Sequence, residues 1–137
     1  ARPAAPSEPS PAPAAPPRPP FTLSLAAGAP LELPARESRD YRFPLPEPAG
    51  DCLVTGRAVG ISGGDRDFEL LILTDDDYQN WAAQKAYESI WESGRLTVRS
   101  FEAHVRAPGV YHFVVSNVFS FLTTKVVTVS ANVSCPR

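Results

Sequence analysis

Lys125-Val-Val-Thr-Val-Ser-Ala-Asn-Val-Ser-Cys135 closes the chain on a strict alternation. Val127, Val129, Ala131, Val133 and Cys135 fall on one side, and Thr128, Ser130, Asn132 and Ser134 stand between them. A period of two marks a strand with one face in a core and the other in water, because successive side chains leave a pleated backbone on opposite faces. The same pattern recurs upstream. Phe21-Thr-Leu-Ser-Leu25 and Leu31-Glu-Leu33 alternate around Ala27-Gly-Ala-Pro30, and Tyr41, Phe43 and Leu45 share a face. Pro44 and Pro46 put that third run at a sheet edge or end it, since proline cannot donate to a ladder. Cys52 to Ile61 is a longer run in which Gly56 and Gly60 admit a bulge. Phe68-Glu-Leu-Leu-Ile-Leu73 is nearly continuous apolar sequence, as in a strand covered on both faces. Leu96 to Val105 and Val110 to Asn117 flank an expected turn at Ala107-Pro-Gly109, and the closing strand is expected to run from Phe121 to Cys135. About eight strands follow, and the fold class is an all-β, antiparallel β-sandwich.

One helix interrupts the pattern. Asp75-Asp-Asp77 supplies carboxylates that accept orphan amide hydrogens and oppose the helix dipole, so a helix is expected from Asp76 to about Glu88, with Tyr78, Trp81 and Lys85 on one face. Ser93-Gly94 breaks the chain before the next strand.

The first twenty residues are different in kind. Nine are Pro and six are Ala, a composition that cannot build a core and favours an extended polyproline arm. The domain boundaries are therefore an arm over 1–20 and a β-domain over 21–137. At about 3.1 Å per residue the arm reaches roughly 60 Å, and it is expected to lie along another chain. The 117 residues that remain make one domain, with eleven basic against fourteen acidic residues. That balance gives no basic patch for nucleic acid. No apolar run is long enough to cross a bilayer. The chain contains no Met, as expected after removal of a signal peptide, although any other trimming of the chain would look the same. Two cysteines, Cys52 and Cys135, stand at the start of one run and the end of the last. A bridge between them closes a loop that the chain-entropy model credits with about 4–5 kcal/mol, the alternative being two buried thiols. A bridge implies an oxidising, extracytoplasmic setting: periplasm, cell surface or secretion.

The stretch Phe101-Glu-Ala-His-Val-Arg-Ala-Pro-Gly109-Val-Tyr111-His-Phe113-Val-Val-Ser-Asn117, followed by Ser120 and Lys125-Val126-Val127, resembles the GOLD (Golgi-dynamics) domain family. Closing strands of that family carry a Gly-x-Tyr turn, an Asn at the strand end and a Lys-Val pair opening the last strand. Cys52, the Gly63-Gly64 turn and Asp67-Phe68 fall in the family's order, so the likeness covers about residues 38–134. The family's second cysteine lies between the Tyr and the Asn, where this chain has Val114 and Val115. The membrane span, coiled coil and sorting tail of the family are also missing from this sequence, so cargo sorting is not implied. The resemblance implies a jelly-roll-like β-sandwich that binds proteins or lipids and performs no chemistry. Bacterial prepeptidase-type accessory domains share a similar Gly-x-Tyr ending.

Few residues offer chemistry. His104 and His112 are expected on neighbouring strands, exposed on the face opposite Phe101, Val105, Tyr111 and Phe113, and two ligands are too few for a metal. Asp65 and Asp67 are separated from Asp75, Asp76 and Asp77 by a strand of about 20 Å, which suits turn and cap duty better than one calcium site. No nucleophile has a base beside it and no phosphate loop occurs, so neither catalysis nor a cofactor is expected. Gly109 is expected to supply a turn conformation and Tyr111 to fill the core. The remaining group is Tyr78, Trp81, Tyr87 and Trp91, which serves either as an interaction surface for protein or sugar, or as a pin holding the helix across an open end of the sandwich. The sequence thus reads as a noncatalytic binding or structural subunit of a cell-envelope assembly, docked by its β-domain and arm. A tethered carbohydrate- or ligand-binding module is the alternative.

Overall fold

The alternating runs form strands, and three of the expected breaks do not interrupt them. In the computed structural model, which describes residues 20–136, the chain is all-β with one short helix. The Pro/Ala arm lies outside the described residues except for Pro20. The elements are β1 (Phe21–Leu33), β2 (Ser38–Ser62), β3 (Phe68–Thr74), α1 (Asp75–Ala82), β4 (Trp91–Leu96), β5 (Val98–Ser116) and β6 (Lys125–Cys135). All pairings are antiparallel, in one six-stranded sheet of order β1-β6-β2-β5-β3-β4.

Six strands stand where the sequence suggests about eight, because three pairs of runs are continuous. β1 passes through Ala27–Pro30 with a shift of register and Gly28 at φ 89°. β2 continues past its prolines, the register slipping between Leu45 and Gly50. β5 continues without a break through Ala107-Pro-Gly109. β4 is the unforeseen strand: it carries Ser93-Gly94, read from sequence as a break, and pairs with β3 around a second irregularity. Pro44 does sit at an edge, because residues 38–45 of β2 pair only with β5 whereas residues 53–62 also pair with β6.

The long β2–β5 ladder is not flat. Phe101 and Phe113 lie twelve residues apart on β5, about 40 Å in a straight strand, yet their ring centroids are 5.4 Å apart. The strand therefore doubles over between them, at Ala107–Gly109. Tyr111 secures the fold-over, its hydroxyl donating to the Arg106 carbonyl at 2.5 Å. Gly109 is not in a left-handed conformation, contrary to the turn role expected of it. A Cβ there would meet the Tyr111 ring at 3.1 Å, so glycine makes room for the ring.

Folding the ladder brings Phe43, Leu45, Val54, Phe68, Leu70, Ile72, Phe101, Phe113, Val115, Val127 and Val129 into one buried cluster. Cys52 and Cys135 sit inside it, bonded across β2 and β6 with their Cα atoms 4.3 Å apart. β3 is covered on both faces, as its continuous apolar sequence implies. Phe68, Leu70 and Ile72 face the main core, while Leu71 and Leu73 join Val114 under α1.

Candidate functional site

α1 begins where the aspartates place it and ends early. Thr74 is the N-cap, its hydroxyl accepting the Asp77 amide at 3.2 Å, with Asp75, Asp76 and Asp77 in the first turn. The helix stops at Ala82, one and a half turns short of the expected Glu88. Gln84 takes φ 59°, and the Lys85 and Gln84 amides donate back to Asn80 and Trp81 carbonyls at 2.8 and 3.1 Å. This pair of hydrogen bonds is a Schellman closure, normally made with glycine at the left-handed position. A glutamine there gives no sequence signal.

Beneath the helix lies the main surprise. His112 belongs to β5, as does His104, so the two histidines do not face each other across a hairpin. His104 is exposed, but His112 is buried, contrary to expectation, because α1 covers that face of the sheet. Its Nδ1 lies 2.8 and 2.9 Å from the two Asp40 oxygens, and its Nε2 lies 2.7 Å from Asp75 Oδ1. The Tyr78 ring stacks on the imidazole at a centroid distance of 4.0 Å and an angle of 9°. β2, β5 and the start of α1 are thereby joined through one imidazole. Burial pushes the Tyr78 phenol above its ordinary value, and the Asp40 carboxylate adds to this by charge.

Tyr78 and Trp81, stacked at 6.1 Å, form one wall of a pocket of about 460 Å³. Tyr87 and Lys85, from the segment after α1, complete that side, and Arg36, Ser38 and Val118 form the other. Burial also raises the Tyr87 phenol, with Glu92 contributing. Trp91 is elsewhere: it is partly buried in β4 and packs on Phe101 at 5.4 Å, as part of the core. The four aromatics read together in the sequence are therefore three around a pocket and one in the interior.

The loop that contributes Val118 extends through Thr124, so β6 opens at Lys125 and not at Phe121 as the sequence pattern suggests. After β5, Asn117 holds it, its amide nitrogen donating to the carbonyls of Leu33, Pro34 and Thr123 at 3.0, 3.2 and 2.8 Å. On the far side Lys125 is buried and donates to the Asp67 carboxylate and carbonyl at 2.7 and 2.8 Å. Between these anchors Phe121 and Leu122 are 72% and 95% exposed, and the Arg36 guanidinium lies over the Phe121 ring at 4.5 Å. Two adjacent large apolar side chains at a loop tip are a signal the sequence did carry, masked by the β-pattern around them.

The acidic residues have local duties. Asp67 pairs with Lys125, Asp75 with His112, and Asp77 with Thr74 and the Glu88 amide. Among the described residues no cluster of three His, Cys, Asp or Glu side chains has the geometry to hold a metal, and no helix is long and apolar enough to cross a membrane. Comparison with protein-family models and with curated proteins finds no match to this chain.

Proposed function

We propose that this is a noncatalytic protein-binding domain of an extracytoplasmic, membrane-associated assembly. Its binding end is the one formed by Arg36, α1 and the Val118–Leu122 loop. The observation that carries the reading is the continuity of the pocket with the exposed Phe121–Leu122 tip, joined through Arg36. Large adjacent apolar groups exposed at a loop anchored from both sides are costly in water and typical of an interface. The disulfide is consistent with an oxidising compartment. The noncatalytic character is supported by His112, whose two ring nitrogens are both engaged by carboxylates, which leaves no free imidazole there to act as a base. We read the doubled ladder as the jelly-roll-like β-sandwich that the resemblance to GOLD domains implies, a fold that binds proteins or lipids.

The Pro/Ala arm enters at the opposite end, since Phe21 pairs with Cys135 while Leu33 pairs with Lys125. In this reading the arm is a second contact with the assembly, or a spacer that holds the binding end away from it. A carbohydrate-binding module is the second reading, favoured by the Trp81 and Tyr87 rings beside the polar edges Ser38 and Gln84.

The test is affinity purification of the full tagged chain from its native envelope, wild type against Phe121→Ser/Leu122→Ser, with Glu47→Ala at the far end as control. One defined protein should co-purify stoichiometrically with the wild type and the control, and be lost with the double variant. Retention by the double variant defeats the proposal. Recovery of an oligosaccharide with no protein transfers support to the second reading.

A further inference from the structure

The pocket's charge is opposite to that of the molecule around it. Its lining includes Arg36 and Lys85 and no carboxylate, in a chain whose net charge is −2. Among the described residues neither cation forms an ion pair, a condition shared with Arg39, Arg42, Arg57, Arg66 and Arg99 but not with Arg95, Arg106 or Lys125. Arg36 is also held in place: its backbone is at φ 69°, its amide donates to the Asn117 carbonyl at 3.2 Å, and its guanidinium lies on the Phe121 ring. A guanidinium stacked on a ring keeps its N–H edge free, and that edge matches a carboxylate in two parallel hydrogen bonds. Holding it beforehand reduces the ordering cost of binding.

We propose that this pocket receives an acidic stretch of a partner polypeptide. A carboxylate is taken by Arg36 and Lys85, the neighbouring apolar side chain lies against Trp81 and Tyr87, and the chain continues over Phe121 and Leu122. The inference rests on the protein-binding reading above and specifies its ligand. The volume of about 460 Å³ lies within the range of sites that enclose small ligands. An acidic sugar would satisfy the cations and the rings but has no use for Leu122, which is 95% exposed and follows Phe121, the residue under Arg36. A polypeptide with alternating acidic and apolar residues uses every part of the surface.

The experiment is a titration of the isotope-labelled full chain, followed by NMR, with the peptide acetyl-Ser-Glu-Leu-Glu-Leu-Ser-amide, the same peptide with Gln for Glu, and oligogalacturonate. The acidic peptide should saturably shift the Trp81 indole and the Arg36 amide. Its affinity should fall with salt and drop about tenfold or more in Arg36→Ala and in Lys85→Ala, the loss of one charge-assisted bond. Equal binding of the Gln peptide, unchanged affinity in both variants, or preference for oligogalacturonate overturns the inference. Arg36→Ala/Lys85→Ala that still retains the native partner, when Phe121→Ser/Leu122→Ser does not, overturns the ligand assignment and leaves the protein-binding reading intact.

Discussion

Lys125 and Asp67 show how a single residue closes a distant loop. The ammonium is buried at the first position of β6 and reaches a carboxylate just before β3, which fastens the Gly63–Asp67 turn to the last strand. The Lys125 hydrogen bond is the main reason the Asp67 carboxyl is held below its ordinary value, against the opposing effect of burial. A depressed folded value means that the unfolded chain binds the proton more readily. The pair's contribution is therefore complete above the ordinary aspartate value of about 3.9 and is lost as pH falls through the lower folded value. Denaturant titrations from neutral to acid pH should show this loss in the wild type. In Lys125→Met the stability at neutral pH should be lower by about 1–3 kcal/mol and the acid dependence flatter, with Asp67 still partly in water. An acid limb unchanged by Lys125→Met would refute the assignment. Not everything at this scale was legible in sequence. In the sequence Lys125 stands out only as half of a Lys-Val pair, and alternation puts His112 in solvent because it cannot reveal that a helix covers the outer face. Trp91 and Trp81, ten residues apart, looked alike as sequence and ended in the core and at a pocket.

Among the elements, α1 departs furthest from expectation, and its end has a measurable cost. Gln84 occupies a left-handed backbone position that costs an L-residue about 1–2 kcal/mol relative to the right-handed one, a penalty that glycine escapes. Gln84→Gly should raise the midpoint of thermal unfolding, with a gain of up to about 1 kcal/mol after glycine's greater unfolded-chain entropy is subtracted. A lowered midpoint would mean that the Gln84 side chain contributes more than its backbone position costs. The start of the helix was readable because Thr74 and three aspartates have a specific task there. Its end was not, because the closing bonds are made by backbone and glutamine stands where a glycine would have marked the stop. The strands divide in a similar way. Apolar patterning located every run except β4, but whether Gly28, Pro46 or Pro108 ends a strand or bends it depends on what the next run packs against. Proline removes a donor without saying where the chain goes next.

Across the whole molecule, Cys52–Cys135 joins residues 83 apart in sequence and fixes β2 to β6 within the core. Cys52→Ala/Cys135→Ala should lose about 4–5 kcal/mol on the chain-entropy model, read from the denaturant midpoint. A loss below about 1 kcal/mol would indicate that the unfolded chain is already compact in that region. The polarity of β1 has a mechanical consequence. The arm joins at Phe21 and the strand ends at Leu33, beside the pocket, so any tension between a tethered arm and a bound partner acts along the strand rather than across it. Such a load shears the β1–β6 ladder, stretching its hydrogen bonds together, whereas a load across the strand would peel them apart one at a time. Force that reaches β6 then passes to β2 through a covalent bond. A domain strung in this way resists pulling along its long direction and gives way easily only when pulled from the side.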